Sequence, residues 1–514
     1  MKNSLFINCI GLSEYAFKKL PSGNTSFETV IEYSKTVPEC NNVFIMCLEQ
    51  EKEKYQKLSD KIKTDKQLNF HIISHENWDS SLLFESLITA NRVLPDHKNI
   101  FYIYGDTPFL DPDLSRRIYS NHEVYSAQYS FSDGGPYGIV PEIIAVEIAD
   151  ALKVLSDKDK LPIKRDTIFT IIQRDINSFD IETHLTIKDL RMLRITLAAD
   201  SKRNFKLLEN FDKAGIKGES KIINISNAEE EMLRTVPAFY AIQISGKCFQ
   251  SCSYCPYPVI NPNLLNSADF MSLENYSMIL EKIADFSEDA VISLSLWGEP
   301  STHPDIEKFI FKTLEYENFT LLIETSGIGW KNETLKMVAE KTGNTKRIIW
   351  ILSLDSDNKE VYKTLRGEGF DKAIGMAETL AGYFPETTYI QAIRMNENDS
   401  VLEKFYKSWK AKGKKVIVQK YDNFCGYIPD RKVTDISPLK RIPCWHLKRD
   451  VSILCDGTVP LCREDIENKN VLGNIFSDSM EKIWDNGIKY YKEHLVQQYN
   501  GICRECDEYY TYNF

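Results

Sequence analysis

An α/β protein built in three sections is what this sequence predicts, and three observations carry that reading. Up to about residue 215, short apolar runs alternate with segments of helical spacing, the rhythm of strands and helices packed in layers. From about 236 to 430 the alternation becomes strict. Strict alternation implies parallel strands with right-handed crossovers, hence an open or closed barrel. The end of the chain, about 440 to 514, is short and holds five cysteines. So few apolar residues would hardly fold unaided, so a metal staple is expected there.

Taken in order, the strand candidates of the first section are residues 5–10, 43–47, 70–73, 100–104 and 143–146. A more polar stretch, 216–235, reads as a linker. In the second section the strands are 241–245, 292–296, 320–323, 348–354, 388–393 and 415–419, and helices are expected at 276–286, 306–316, 335–341, 370–380 and 401–411. Chemistry in such barrels sits at the C-terminal strand ends. Those ends carry Cys248, Cys252 and Cys255, then Trp297-Gly298-Glu299-Pro300, Glu324-Thr325-Ser326-Gly327, Asp355, Arg394 with Asn396, and Tyr421-Asp422. In the third section, 451–461 reads as a hairpin turning at Asp456-Gly457, with an amphipathic helix near 480–485.

Composition excludes some functions. The net charge of −11 argues against a general grip on nucleic acid. No run approaches the ~20 apolar residues that span a membrane. Residues 1–11 read as a first strand rather than a signal peptide, so a cytoplasmic location is the default. Of 12 cysteines, nine fall after residue 247. In a large cytoplasmic chain such clustering suggests metal or catalysis rather than disulfides.

The segment Cys248-Phe-Gln-Ser-Cys252-Ser-Tyr-Cys255 can wrap three thiolates around one centre. A structural zinc site takes four ligands, and no nearby His or Cys supplies the fourth. An iron–sulfur cube held by three cysteines keeps one iron open for a reactive cofactor. This spacing, with the aromatic Tyr254 before the last Cys, resembles the cluster motif of the radical S-adenosylmethionine (SAM) superfamily. Gly298-Glu299-Pro300 is similar to its Gly-Gly-Glu motif, with Trp297 where the first Gly usually stands. The resemblance implies that Glu299 meets the methionine amino group, and that Ser353 and Arg366 hold the ribose and carboxylate. Thr325-Ser326-Gly327 resembles the Thr-Asn-Gly of related enzymes, with Ser326 replacing Asn, and Arg394-Met-Asn-Glu-Asn398 resembles the fifth-strand motif. The cofactor-binding residues implied are thus Tyr254, Gly298, Glu299, Ser326, Ser353, Arg366 and Arg394. The implied fold is a partial (β/α)6 barrel over 236–430. The implied chemistry is reductive cleavage of SAM at a [4Fe-4S] cluster, giving a 5′-deoxyadenosyl radical that takes hydrogen from the substrate.

Residues 431–514 resemble the SPASM extension of the same superfamily: Cys444, then Gly457 with Cys462 five positions on, then Cys503-Arg-Glu-Cys506. Full versions carry two auxiliary clusters. Here one auxiliary [4Fe-4S] cluster is implied, on Cys444, Cys462, Cys503 and Cys506. Cys425 and Cys455 are left over, each a ligand instead or a proton or hydrogen donor. Zinc is the competing occupant, since Cys-x2-Cys pairs are common in zinc modules.

Gly105-Asp106-Thr-Pro108, Pro136-Tyr-Gly138-Ile-Val-Pro-Glu142 and Leu190-Arg-Met-Leu-Arg194 resemble nucleotidyltransferases of the cytidylyltransferase type. That implies a three-layer α/β domain over 1–215, with a candidate nucleotide site at Asp106, Glu142 and Arg194 and Mg²⁺ on Asp106. The usual phosphate loop after the first strand is absent, and the second metal carboxylate meets Ala198 and Ala199, with Asp200 displaced. The domain therefore reads as a binding or relic module, and Mg²⁺ there is doubtful. All three sections together are similar to the spiro-SPASM group. The implied enzyme oxidises or modifies a peptide or protein, fed by an electron donor such as flavodoxin or ferredoxin. The alternatives are a sugar or nucleotide-linked substrate, a nucleotide-sugar transferase whose clusters are structural, and a zinc-stabilised adaptor.

Overall fold

The computed structural model describes residues 2–61, 68–94, 96–225, 229–262, 266–343 and 345–512. The chain divides into two compact units, Met1–Leu233 and Arg234–Phe514. Among the described residues no helix is long and apolar enough to cross a membrane.

Seven strands form the sheet of the first unit: β1 (Asn3–Asn8), β2 (Cys40–Leu48), β3 (Asn69–His75), β4 (Asn99–Tyr104), β5 (Tyr129–Asp133), β6 (Glu142–Ala145) and β7 (Ile181–Leu185). Their order is β3-β2-β1-β4-β6-β5-β7. The first four run parallel, and β6 runs antiparallel to β4 and β5. Successive side chains of a strand point to opposite faces, and each face has its own core. Leu5, Ile7, Val43, Ile45 and Phe101 fill one; Phe6, Phe44, Met46, Ile100 and Tyr102 fill the other. Helices cover both, which makes three layers.

The stretch 216–235 is not a linker. Ile216, Ile222, Ile225 and Leu233 are buried in the first of those cores, so a sparsely apolar segment closes the unit. Residues 226–228 of it lie outside the described residues.

In the second unit β8 (Phe239–Ile242), β9 (Ala290–Ser293), β10 (Phe319–Thr325), β11 (Ile348–Ser353), β12 (Thr388–Arg394) and β13 (Lys415–Lys420) lie side by side in chain order, all parallel. Four of the six runs coincide with β10 to β13, whereas β8 and β9 lie two to three residues before the expected 241–245 and 292–296. The five helices fall where the sequence puts them. The helix Leu273–Ser287 shows why. Ser272 Oγ caps it by accepting from Asn275 N, and Tyr276, Ile279, Leu280 and Ile283 form its buried stripe. Tyr240, Ile292, Leu321, Ile323 and Trp350 face such helices. Phe239, Ala241, Leu322 and Ile351 point to the other side of the sheet.

A seventh strand, β14 (Asp450–Ile453), corrects the hairpin expectation. It pairs parallel with β8 and forms an edge of the barrel sheet. The strand after the Asp456-Gly457 turn, β15 (Thr458–Pro460), pairs instead with β16 (Val471–Asn474). The extension is also not left without a core. Val451, Ile453, Val459, Ile475, Ile483 and Trp484 join the barrel's own. Arg234 fastens the two ends of the unit: its guanidinium lies 3.5 Å from the Trp484 ring and donates to Leu447 O and Trp484 O at 2.9 and 2.7 Å.

Candidate functional site

The inner strand ends of the second unit surround a cavity of ≈ 360 Å³. Its wall includes Cys248, Cys252, Cys255, Tyr254, Gly298, Glu299, Ser326, Ser353 and Arg366. Six of the seven residues expected to bind cofactor are therefore brought to one place with all three cysteines. Arg394 is not. It is exposed and pairs with Asp399 at 2.7 Å, because the strand's alternation turns it away from the cavity. The inward member of that motif is Asn398, fully buried, which donates to Asp355 O and Ile393 O at 3.1 and 2.8 Å.

The loop after β8 is tied down by the helix Lys359–Arg366. Ser253 N donates to Leu365 O at 2.8 Å. Gln250 accepts from Arg366 Nε at 3.2 Å and donates to Tyr362 Oη at 2.9 Å. Arg366, only 6% exposed, also donates to Tyr254 Oη and to Asp355 Oδ2, the latter at 2.8 Å. Tyr254 Oη donates to the same Asp355 oxygen at 2.5 Å. Asp355 is fully buried with φ of +63°, and its other oxygen accepts from Ile393 N at 2.8 Å. One buried ion pair thus holds the cysteine loop against β11 and β12.

Glu299 sits in a cradle built by two loops. Oε1 accepts from Thr325 Oγ1 at 2.6 Å and Ser301 Oγ at 2.8 Å; Oε2 accepts from Ser326 N at 2.8 Å and Ser326 Oγ at 2.7 Å. At 3% exposure it is no surface carboxylate. Each of these partners is a hydroxyl or an amide that donates, as an acceptor-only carboxylate requires. Trp297, where glycine is usual in the motif, stacks on Tyr257 with ring centres 5.8 Å apart.

Burial pushes the Cys248 and Cys255 thiols up to about 12, with the neighbouring Glu299 adding to the effect at Cys248, and raises Cys252 as well. Buried thiols held as acids are inert until a metal takes them as thiolates. Three such thiols on one wall, beside an open cavity, fit a cluster with one iron left for a second ligand.

A second cysteine group forms beside the first cavity. Burial raises the thiols of Cys444, Cys462 and Cys503, and each also feels Cys506. Cys425 is hydrogen-bonded to Cys506, the contact that lowers the latter's thiol and raises its own. Cys455 stands apart, donating to Gln243 O at 3.1 Å. Arg463, next to Cys462, and Phe424, next to Cys425, both line the 360 Å³ cavity. Lys420, Asp422 and Glu324 share that wall, and Arg463 pairs with Asp422 at 3.0 Å and Glu464 at 2.8 Å. Glu324, raised by burial against the pull of Arg463, was visible in the sequence only as the residue before Thr325.

The nucleotide site expected in the first unit does not assemble. Asp106 is buried with both oxygens on Arg165, at 2.5 and 3.1 Å, and Arg165 also reaches Asp200 at 3.1 Å. A guanidinium thus fills the slot between the two carboxylates where Mg²⁺ was looked for. Glu142 opens into a separate cavity, and Arg194 is exposed at the end of a 3-10 turn and does not line it.

Comparison with known proteins agrees with the second unit. The model of the Radical SAM superfamily matches residues 242–408, and that of SPASM, an iron–sulfur cluster-binding domain, matches 444–507. An uncharacterized protein of Treponema pallidum (strain Nichols) is 40% identical over 358 residues, 68% of this chain and 98% of that one. Two solved structures are similar at lower identity. Native anSMEcpe with bound AdoMet is 16% identical over 53% of this chain and 87% of its own, with a TM-score of 0.40. SuiB of Streptococcus suis, bound to the precursor peptide SuiA, is 17% identical over 66% and 78%, with a TM-score of 0.41. With its cysteine loop, glutamate cradle and cysteine-rich extension, this chain belongs to the radical SAM superfamily: it is an enzyme with a SAM-binding [4Fe-4S] site and a SPASM-type auxiliary-cluster domain.

Proposed function

We propose that this enzyme oxidises or otherwise modifies a peptide or protein substrate bound in the 360 Å³ cavity, with a single auxiliary cluster on Cys444, Cys462, Cys503 and Cys506. The observation that carries the reading is the convergence of the three-cysteine loop, the Glu299 cradle and the Arg366–Asp355 pair on that one cavity. When bound, cluster and SAM together supply reductive carbon–sulfur cleavage to methionine and a 5′-deoxyadenosyl radical. Cys248, Cys252 and Cys255 are the ligands of the first cluster. Glu299 receives an ammonium group, and Ser326 fixes the carboxylate that does so. Ser353, Gly298 and Tyr254 shape the cofactor's bed, and Arg366 positions the cysteine loop through Gln250.

The rest of the wall is the substrate's. Gln391 and Gln419, on adjacent strands β12 and β13, offer primary amides that suit peptide groups. Oxidising a C–H bond removes one hydrogen atom, one electron and one proton. Glu324 is the proton acceptor the cavity offers, its carboxyl already raised by burial. Arg463 and Phe424 bring the wall to within one residue of the second cysteine group, the placement an electron outlet needs. An external donor such as flavodoxin or ferredoxin supplies the reducing electron.

The substrate class has its own test. Deoxyadenosine formation by the reconstituted enzyme is expected to rise when extract of the source organism is added, and protease treatment of the extract should abolish that rise. A stimulation that survives protease but is lost to periodate would instead identify a sugar-type substrate.

A further inference from the structure

The first unit contains a cavity of ≈ 210 Å³ that serves neither cysteine group. It is smaller than the roughly 300–1,000 Å³ of pockets that take drug-sized ligands, so it suits a small group rather than a whole nucleotide. Six aromatic rings line it: Tyr102 and Tyr104 of β4, Tyr129 and Phe131 of β5, Tyr137, and Phe169. Tyr129 and Phe131 stack at 5.5 Å, and Phe169 closes on Phe131 at 5.2 Å. Glu142, the first residue of β6, opens into this aromatic space.

The charges in the cavity do not balance. Glu142 Oε1 accepts from Tyr129 Oη at 2.5 Å, and among the described residues no Lys, Arg or His pairs with it. Arg165 is the one cation in the wall, and it is already engaged. It bonds both oxygens of Asp106 and reaches Asp200, and its guanidinium lies 5.0 and 5.2 Å from the Tyr104 and Tyr137 rings. Asp166 adds a further carboxylate to the lining. With Arg165 already held by Asp106 and Asp200, the lining carboxylates Glu142 and Asp166 leave the site negative, which repels a phosphate. Burial pushes the Glu142 carboxyl up to about 7, the mark of a carboxylate lacking a counter-charge.

A carboxylate without a counter-ion, walled by π-faces, is the arrangement that takes an organic cation. We propose that this cavity binds a small organic cation, a primary or methylated ammonium group, with Glu142 as its counter-ion and Tyr104, Tyr129, Phe131, Tyr137 and Phe169 as its cage. A nucleoside triphosphate with Mg²⁺ is the occupant this excludes, because Arg165 stands where the metal would bind.

Titration calorimetry on the full chain tests it, with choline and cyclohexylammonium as probes. Their uncharged counterparts, 3,3-dimethylbutan-1-ol and cyclohexanol, serve as controls of matching shape. At least one cation should bind the wild type about tenfold more tightly than its neutral counterpart, the worth of a desolvated cation–π site. Glu142→Gln, which keeps the rings but removes the counter-ion, should cut that preference several-fold while melting with the wild type. The comparison of cation with alcohol in wild-type protein needs no variant, so it stands even if Glu142→Gln misfolds. Equal binding of cation and alcohol, no binding of either cation at millimolar concentration, or binding of CTP with Mg²⁺ would each overturn the proposal.

Discussion

Asp355→Ala is expected to destabilise the second unit by about 3–5 kcal/mol, the cost of leaving one partner of a buried ion pair uncompensated. Arg366 is 6% exposed, and Asp355 is its only anionic partner by direct bond among the described residues. Without it the guanidinium keeps only neutral partners, Gln250 and the Tyr254 and Tyr362 hydroxyls. The Ile393 amide loses its acceptor as well. For a unit of this size the loss corresponds to roughly 10 °C in melting temperature. Because Gln250 and Tyr254 hang on the same arginine, the variant should also hold less iron at the first site. Pairing it with Arg366→Met should recover part of the stability, since no buried charge is then left alone. Thermal melts of the three proteins under anaerobic conditions check this. An Asp355→Ala protein that melts with the wild type would show that the pair does not brace the loop.

The second large effect belongs to Gly298→Ala. Gly298 has φ of +80°, and a Cβ there would lie 2.1 Å from Ser245 O and 3.1 Å from Lys247 O. Both oxygens are backbone at the root of the cysteine loop, so neither can swing aside. Left-handed strain plus overpacking comes to about 3 kcal/mol. The displacement must also pull Glu299 from its cradle, since Glu299 N donates to Lys247 O at 2.7 Å. The expected result is a lower melting temperature and loss of SAM binding and deoxyadenosine formation. Retained SAM affinity in a folded Gly298→Ala protein would separate the glutamate loop from the cofactor site.

Much of this was legible because of what buried parallel strands demand. Covered on both faces, β9 to β12 read as continuous apolar runs, and the helices between them keep a 3.6-residue stripe. β5 and β7 carry too many polar residues (Tyr-Ser-Phe-Ser-Asp and Ile-Glu-Thr-His-Leu) to announce themselves, lying where the sheet gives way to its edge. β14 was masked by the strong local turn at Asp456-Gly457, whereas its true partner β8 lies some two hundred residues away and leaves no local trace. The site divides in the same way. The cysteines and Glu299 show in short spacings. Gln250, Arg165 and Arg463 act through partners 116, 59 and 41 residues distant, which no window of sequence connects. Arg394 was misplaced because its motif was matched without the strand's alternation; the buried polar member is Asn398, past the strand end at the cap of the next helix.

Iron and sulfide content, followed by a deoxyadenosine assay, tests the central claim most directly. The protein is purified and reconstituted without oxygen, then given dithionite and SAM, alongside the Cys252→Ala, Cys255→Ala double variant. The proposed function predicts about eight irons per wild-type chain, as two cubane clusters require, about four in the variant, and deoxyadenosine from the wild type alone. Zinc in place of iron, or no deoxyadenosine from a wild type whose first cluster is filled, would contradict it.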